Sequence, residues 1–420
     1  MRYWFPQYYK GGARFYTYHV VATALRKAGH EISPVLDGCD AALASLCDVT
    51  EYRELVRIKR STSLPVIVGG HYAFNYWSAI QYADAVWIGE VFDFADCADL
   101  ASVWAHPACY TSDPGKQLIA STRIDWAAVP VGQIAPRKAY YWGSVGCRNK
   151  CRFCFTSWTH RHECNSQARV RKACQVAAGR GLHLMVVGNE FDGDQAGGRT
   201  RDMLLVDYIR ESVDATMIRV GIEFATEETR ARMGKPITED QLYAAIQKMN
   251  RDRISMRWFH ITGYEALEDY ERYIDTLCVM LARHPNRAIL HLMFNNLQYQ
   301  NYTPLYRERM SVDPSRYIDR TVTKRWYDRL RQYTSSVLVG APSPFQHVAC
   351  RMGVELAQTK EQIDYWLHMS KDPAHRLTLD QAHRALRSSG VLTCPQRRIN
   401  PLTGAITVGR RTDGHGSSRG

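Results

Sequence analysis

Three cysteines stand within eight residues of the sequence GCRNKCRFCF, at Cys147, Cys151 and Cys154, in a CxxxCxxC pattern. Thiolates this close together are soft ligands for zinc or for an iron–sulfur cluster. Zinc in a structural site takes four closed ligands, and His160, His162 and Cys164 lie near enough downstream to complete such a set. A 4Fe–4S cluster takes four cysteines, so three leave one iron open to a ligand from outside the protein. Arg148, Lys150 and Arg152 alternate with the cysteines and make their surroundings positive.

The elements that must carry this loop are legible on either side of it. Residues 1–110 alternate strand and helix patterns: RYWF, a helix through YHVVATALRKAGHEI stopped at Gly29, the run LPVIVGGHY, and ADAVWIGE. Compact apolar strands separated by helices predict a parallel, doubly wound sheet. Residues 111–137, with DPGK and prolines at 130 and 136, read as a linker. Alternation resumes over 138–300, where YYWGSV, LHLMVVGNE, MIRVGIEF, SMRWFHITGYE and AILHLMFNN are strand-like. ITEDQLYAAIQKMN opens with a capping box, Thr238 followed by Gln241. Residues 301–395 turn helical, aromatic and basic, and 396–420 read as a flexible tail.

In this setting CxxxCxxC, with Phe153 before the last cysteine, resembles the motif of the radical S-adenosylmethionine (SAM) superfamily. Gly188-Asn189-Glu190 resembles that family's GGE motif, with Asn189 in place of a glycine. RVGIEFATEETRARMGKPITEDQLYAAIQKM resembles its GIES…K…T segment, with Phe224 in place of the serine, and ITGYEALEDYERYI resembles the segment after the fifth strand. The resemblance spans Ala139 to Asn296 and implies a partial (β/α)6 barrel. It implies that Cys147, Cys151 and Cys154 hold a 4Fe–4S cluster whose fourth iron takes SAM. Gly188, Asn189 and Glu190 would hold the methionine amino group, and Glu223 would meet the ribose. Reductive cleavage of SAM would then yield a 5′-deoxyadenosyl radical that abstracts a substrate hydrogen. A flavodoxin or ferredoxin is the implied reductant. Cys164 has no implied role in the cluster.

ALRKAGHEI, PVIVGGHYAFN and ADAVWIGE resemble the Rossmann-like, cobalamin-binding domain that precedes the barrel in one branch of this family. The DxHxxG string that supplies a cobalt-ligating histidine is absent, so cobalamin is possible but not expected, and the other reading is a retained layer that shapes the cleft, with His30 and His71 as ordinary loop residues. The expected fold is therefore α/β: a Rossmann-like domain, a partial radical SAM barrel and a mainly helical basic region.

Charge speaks to the partner. The chain carries a net +12, and residues 301–420 hold 19 Lys/Arg against 10 Asp/Glu, a net of +9. This suggests a polyanion such as DNA. In RTVTKRWYDRLRQY, Lys324, Arg325, Arg329 and Arg331 mix with Trp326, Tyr327 and Tyr333. The mixture reads either as phosphate contacts with rings for base stacking or as an amphipathic helix with its aromatics in the core. As a whole, the chain resembles the radical SAM isomerases of bacteriophage thymidine hypermodification, which convert N-linked to C-linked glycyl-thymidine. The alternative is a methyltransferase or ring-forming enzyme of the cobalamin branch, acting on a small molecule or peptide. With neither an apolar run of membrane-spanning length nor a secretory pattern, the expected location is the cytoplasm, a host's if the protein is viral, with no membrane partner.

Overall fold

The computed structural model describes residues 1–9, 15–48, 51–111, 117–188, 200–213, 215–284, 287–343, 345–357, 359–369, 379–393, 396–399 and 403–408. The N-terminal layer is a six-stranded sheet in the order β2-β1-β3-β4-β5-β6. Its strands are β1 (Arg2–Trp4), β2 (Glu31–Ser33), β3 (Ala41–Ser45), β4 (Val66–Gly69), β5 (Ala85–Trp87) and β6 (Cys109–Tyr110). All neighbours are parallel except the β5–β6 pair. All five residues of β3 are buried, as a strand covered on both faces requires. Helix Tyr16–Lys27 ends where predicted, with Gly29 at φ +85°. The chain runs from β1 out to β2 and then back across to β3, so the carboxyl ends of β1 and β3 flank a crevice.

The next sheet, β11-β8-β7, pairs β7 (Gly132–Ala135) antiparallel and β11 (His183–Val187) parallel to β8 (Lys138–Trp142). A five-stranded parallel sheet follows in chain order: β12 (Thr200–Asp202), β13 (Met217–Glu223), β14 (Ser255–Thr262), β15 (Leu290–Asn296) and β16 (Val337–Gly340). Strands β13 and β14 alternate buried and half-buried residues along their length. Helices Glu239–Asp252 and Leu267–Arg283 cover one face, and the first carries the Thr238–Gln241 capping box expected from the sequence. Successive parallel strands with helical returns place every carboxyl end on one rim, where barrel sites are built.

The C-terminal region is mainly helical, with helices Arg320–Leu330, Phe345–Leu356, Lys360–Met369 and Leu379–Ser388, yet it also contributes β16. Its helices pack back on the N-terminal layer, and one core joins Trp366, Met352 and Leu386 to Tyr52, Phe74 and Val68. The expected flexible tail is partly folded. Arg397–Ile399 pairs with Ile406–Val408, and Ala120 donates its N–H to the Gly404 carbonyl at 2.8 Å. Backbone pairing holds a segment whose polar composition promised no core; residues 409–420 lie outside the described residues. Among the described residues no helix is long and apolar enough to cross a membrane.

Candidate active site

The cysteine loop leaves the barrel after β8 through a short strand, β9 (Ser144–Val145), and returns through β10 (Glu163–Cys164), which pairs antiparallel with it. Gly146 starts the loop at φ +73°, and a Cβ there would land on the Arg161 carbonyl, so only glycine permits this crossing. Cys154 N–H donates to the Cys151 carbonyl at 3.2 Å, and Trp158 Nε1 donates to the same oxygen at 2.8 Å. Arg152 N–H reaches the Met233 carbonyl at 3.0 Å, tying the loop to the end of helix Glu227–Arg232. Cys151 is buried, whereas Cys147 and Cys154 are partly exposed.

All three cysteines open into one cavity of about 240 Å³, together with Phe153, Glu223, Lys235, Arg219, Asp202 and Phe259. Burial pushes the Cys151 thiol up to about 12, against the pull of the nearby Lys235 ammonium. Such a thiol ionises at neutral pH only when a metal takes the charge. Among the described residues, no three His, Cys, Asp or Glu side chains converge tightly enough to hold a single ion. The completing zinc set is also split: His160 faces a different cavity, while exposed Cys164 lies 3.6 Å from His162 Nε2 on β10.

Glu223 ends β13 at a register shift, with φ +74°. Its Oε1 lies 3.3 Å from Lys235 Nζ, and that ammonium also donates to the Gly221 carbonyl at 3.3 Å. Both side chains are mostly buried, at 14% and 16% exposure. Burial acts to lower the Lys235 pKa, but Glu223, Cys151 and Cys147 together raise it above its ordinary value. The turn behind Glu223 is clamped from two sides. Buried Glu265 accepts from Ala225 N–H at 2.6 Å, Thr226 N–H at 2.9 Å and Thr226 Oγ1 at 2.7 Å. Fully buried Arg230 donates to the Phe224 carbonyl at 3.1 Å and the Ala225 carbonyl at 2.7 Å. Phe153 packs on Phe224 with ring centroids 5.5 Å apart. Sequence motifs pointed to Glu223 but not to the roles of Lys235, Arg219, Asp202 or Phe259. The lone lysine in GKPITED was the one available signal.

Gly188 ends β11 at φ +142°, where a Cβ would meet Ser144 O at 2.5 Å and Ser144 N at 2.6 Å. It borders a second cavity instead of the first, and Asn189 and Glu190 lie outside the described residues. This second cavity, about 340 Å³, sits at the carboxyl ends of β1, β3, β4 and β5 and faces the cysteine loop. Phe5, Trp87 and Glu90 line it from the layer, and Trp142, Thr156 and His160 from the barrel. His71 also lines it, with its ring 4.3 Å from that of Phe155, so this residue is not the ordinary loop histidine expected. His30 is structural, bridging the N-terminal amine and the Ala95 carbonyl.

The basic and aromatic stretch Arg320–Tyr333 is partly absorbed into the fold. Trp326 is fully buried and donates to Glu271, which also pairs with Arg329 and Arg325, and Arg329 reaches Asp275 at 3.0 Å. Acidic residues on helix Leu267–Arg283 thus pair with Arg325 and Arg329 and the core takes the Trp326 ring, while Lys324, Arg331 and Tyr333 remain exposed.

No protein-family model matches the sequence, and no curated protein matches it. Solved structures do match in fold. The radical SAM methyltransferase TsrM from Kitasatospora setae, solved with tryptophan substrate and a SAM analog, aligns with a TM-score of 0.51 at 13% identity, over 74% of this chain and 76% of that one. The cobalamin-dependent SAM radical enzyme OxsB, solved with aqua-cobalamin and SAM, aligns with a TM-score of 0.55 at 11% identity, over 93% of this chain and 79% of that one. OxsB with aqua-cobalamin alone gives 0.56 at the same identity. The layer and barrel of this chain thus share the fold of radical SAM enzymes built on a Rossmann-like domain and a partial barrel.

Proposed function

We propose that the chain is a radical SAM enzyme. The observation that carries this reading is the single cavity into which Cys147, Cys151, Cys154 and the Glu223–Lys235 pair all open. The three thiolates would hold a 4Fe–4S cluster. Lys235 offers a cation to the SAM carboxylate, Arg219 on the same cavity wall is paired with Asp202 at 2.6 Å, and Glu223 accepts from ribose hydroxyls. Gly188, Asn189 and Glu190 are assigned to the methionine amino group on motif resemblance. When bound, cluster and SAM supply the 5′-deoxyadenosyl radical that takes a hydrogen atom from substrate. The chain's own residues position the cofactor, with Phe153 on the cavity wall backed by buried Phe224. An external one-electron donor of flavodoxin or ferredoxin type completes the system.

The narrower substrate reading is a DNA base, with isomerisation of N-linked to C-linked glycyl-thymidine as the reaction. It is supported by the net charge of +12 and by the absence of any need for a methyl donor in such a rearrangement. A second reading, cobalamin-assisted transfer to a small molecule or peptide, is favoured by the likeness to TsrM and OxsB. The second cavity fits part of a corrinoid. Its apolar, glycine-bounded lining suits a benzimidazole nucleotide, while the macrocycle would have to part the His71 and Phe74 rings from Phe155.

Anaerobic reconstitution tests the main reading by iron content and by release of 5′-deoxyadenosine from SAM under dithionite. One zinc per chain and no iron would end it. Mass spectrometry of nucleosides from treated DNA, and the visible absorption of cobalamin in purified protein, separate the two substrate readings.

A further inference from the structure

The second cavity holds a charge arrangement for which the proposed cluster chemistry has no use. Glu90 follows β5, is only 9% exposed, and its Oε1 lies 3.5 Å from His160 Nε2. The tautomer of His160 is coupled to the Thr159 hydroxyl. With that hydroxyl hydrogen donated to the Phe155 carbonyl at 3.0 Å, His160 Nδ1, 2.8 Å from Thr159 Oγ1, donates to that oxygen. Nε2 is then a bare acceptor facing a carboxyl. Two acceptors tolerate that contact only when a proton lies between them.

The proton belongs to Glu90. Burial, with Glu163 on β10 adding to it, pushes the Glu90 carboxyl up to about 7, while burial and His71 push His160 down to about 3. Among the described residues lining the cavity there is no lysine or arginine, and helix Tyr16–Lys27 brings only Thr17, Val20 and Val21 to it. Phe5, Trp87 and Trp142 supply aromatic walls, which suit a flat apolar body and attract a cation. An ammonium group would therefore replace the proton and leave the carboxylate paired.

We propose that this cavity binds an amine-bearing ligand with a flat apolar body, its ammonium seated against Glu90. Its place beside the cysteine loop makes that ligand the substrate, a role that rests on the radical SAM reading. The wall is shared: Gly146 and Thr156 line this cavity, and their chain neighbours Cys147 and Ser157 line the other.

Benzylamine is the probe, with benzyl alcohol as its neutral counterpart, titrated calorimetrically into the full-length protein between pH 6 and 8. Benzylamine affinity is expected to rise about fivefold from pH 6 to pH 7 and about tenfold by pH 8, because binding must first displace one proton. Titration at pH 6 in two buffers of different ionisation enthalpy should show close to one proton released per amine bound, a readout that needs no variant. Glu90→Gln should lose the pH dependence and about tenfold of the affinity while still melting cooperatively. Benzylamine binding no tighter than benzyl alcohol, binding without proton release, or unchanged binding to E90Q would overturn the proposal. So would purified protein saturated with cobalamin and indifferent to the amine. Iron and 5′-deoxyadenosine measured on the same preparation report on the radical reading separately. Amine binding by iron-free protein that leaves SAM intact supports this site and removes the proposed function.

Discussion

Glu265 makes no contact with the cysteines, yet its removal should disable the cavity they share. Its carboxylate accepts three hydrogen bonds at 2.6–2.9 Å from Ala225 and Thr226, and it is 5% exposed. In Glu265→Ala the Ala225 and Thr226 N–H groups lose their acceptor inside the protein. Each such group costs about 1–3 kcal/mol, so a loss of about 2–6 kcal/mol in stability is expected. Arg230 still holds the Phe224 and Ala225 carbonyls, which should preserve the fold while the turn loosens. Glu223, at φ +74°, then has no reason to stay 3.3 Å from Lys235. Loss of that alignment should weaken SAM binding by about tenfold, the equivalent of about 1.4 kcal/mol. Glu265→Gln retains one acceptor oxygen and should lie between. Urea denaturation and equilibrium dialysis of SAM measure the two effects, with Glu268→Gln on the exposed first turn of the following helix as a control expected to change stability by less than about 0.5 kcal/mol. A Glu265→Ala protein that matched wild type in both assays would refute the clamp.

Alanine at Cys147, Cys151 or Cys154 should each abolish iron retention and SAM cleavage, whereas Cys164→Ala, exposed on β10, should keep both, as read by iron assay and chromatography of 5′-deoxyadenosine. Glu90 and Glu355 are both pushed up to about 7, first by burial. Because each then binds a proton more readily folded than unfolded, stability is greatest below the unfolded value near 4.5 and falls as pH rises towards 7, by about 3 kcal/mol per group. Glu90→Gln and Glu355→Gln should each flatten that slope in urea melts at pH 5 and pH 8. Gly188→Ala drives a Cβ into the Ser144 backbone at φ +142° and should cost about 3 kcal/mol, read as a lowered Tm.

Local chemistry is what the sequence determined. Cysteine spacing, the capping box at Thr238 and the glycine after Lys27 are set within a few residues, so their consequences survive any tertiary arrangement. The alternation of short apolar strands with helices likewise dictated a parallel α/β architecture, because each strand had to be covered on two faces. Only the tertiary structure decided which charges meet. It brought Lys235 to Glu223, set Arg230 and Glu265 on opposite sides of one turn, and joined Glu90 to His160 across two layers. It also buried Trp326 and paired Arg329 with Glu271, which the sequence shows only as a mixed basic and aromatic run. The physical reason is the same in each case: a charge in the sequence has a sign but no partner, and its partner and its burial set its free energy.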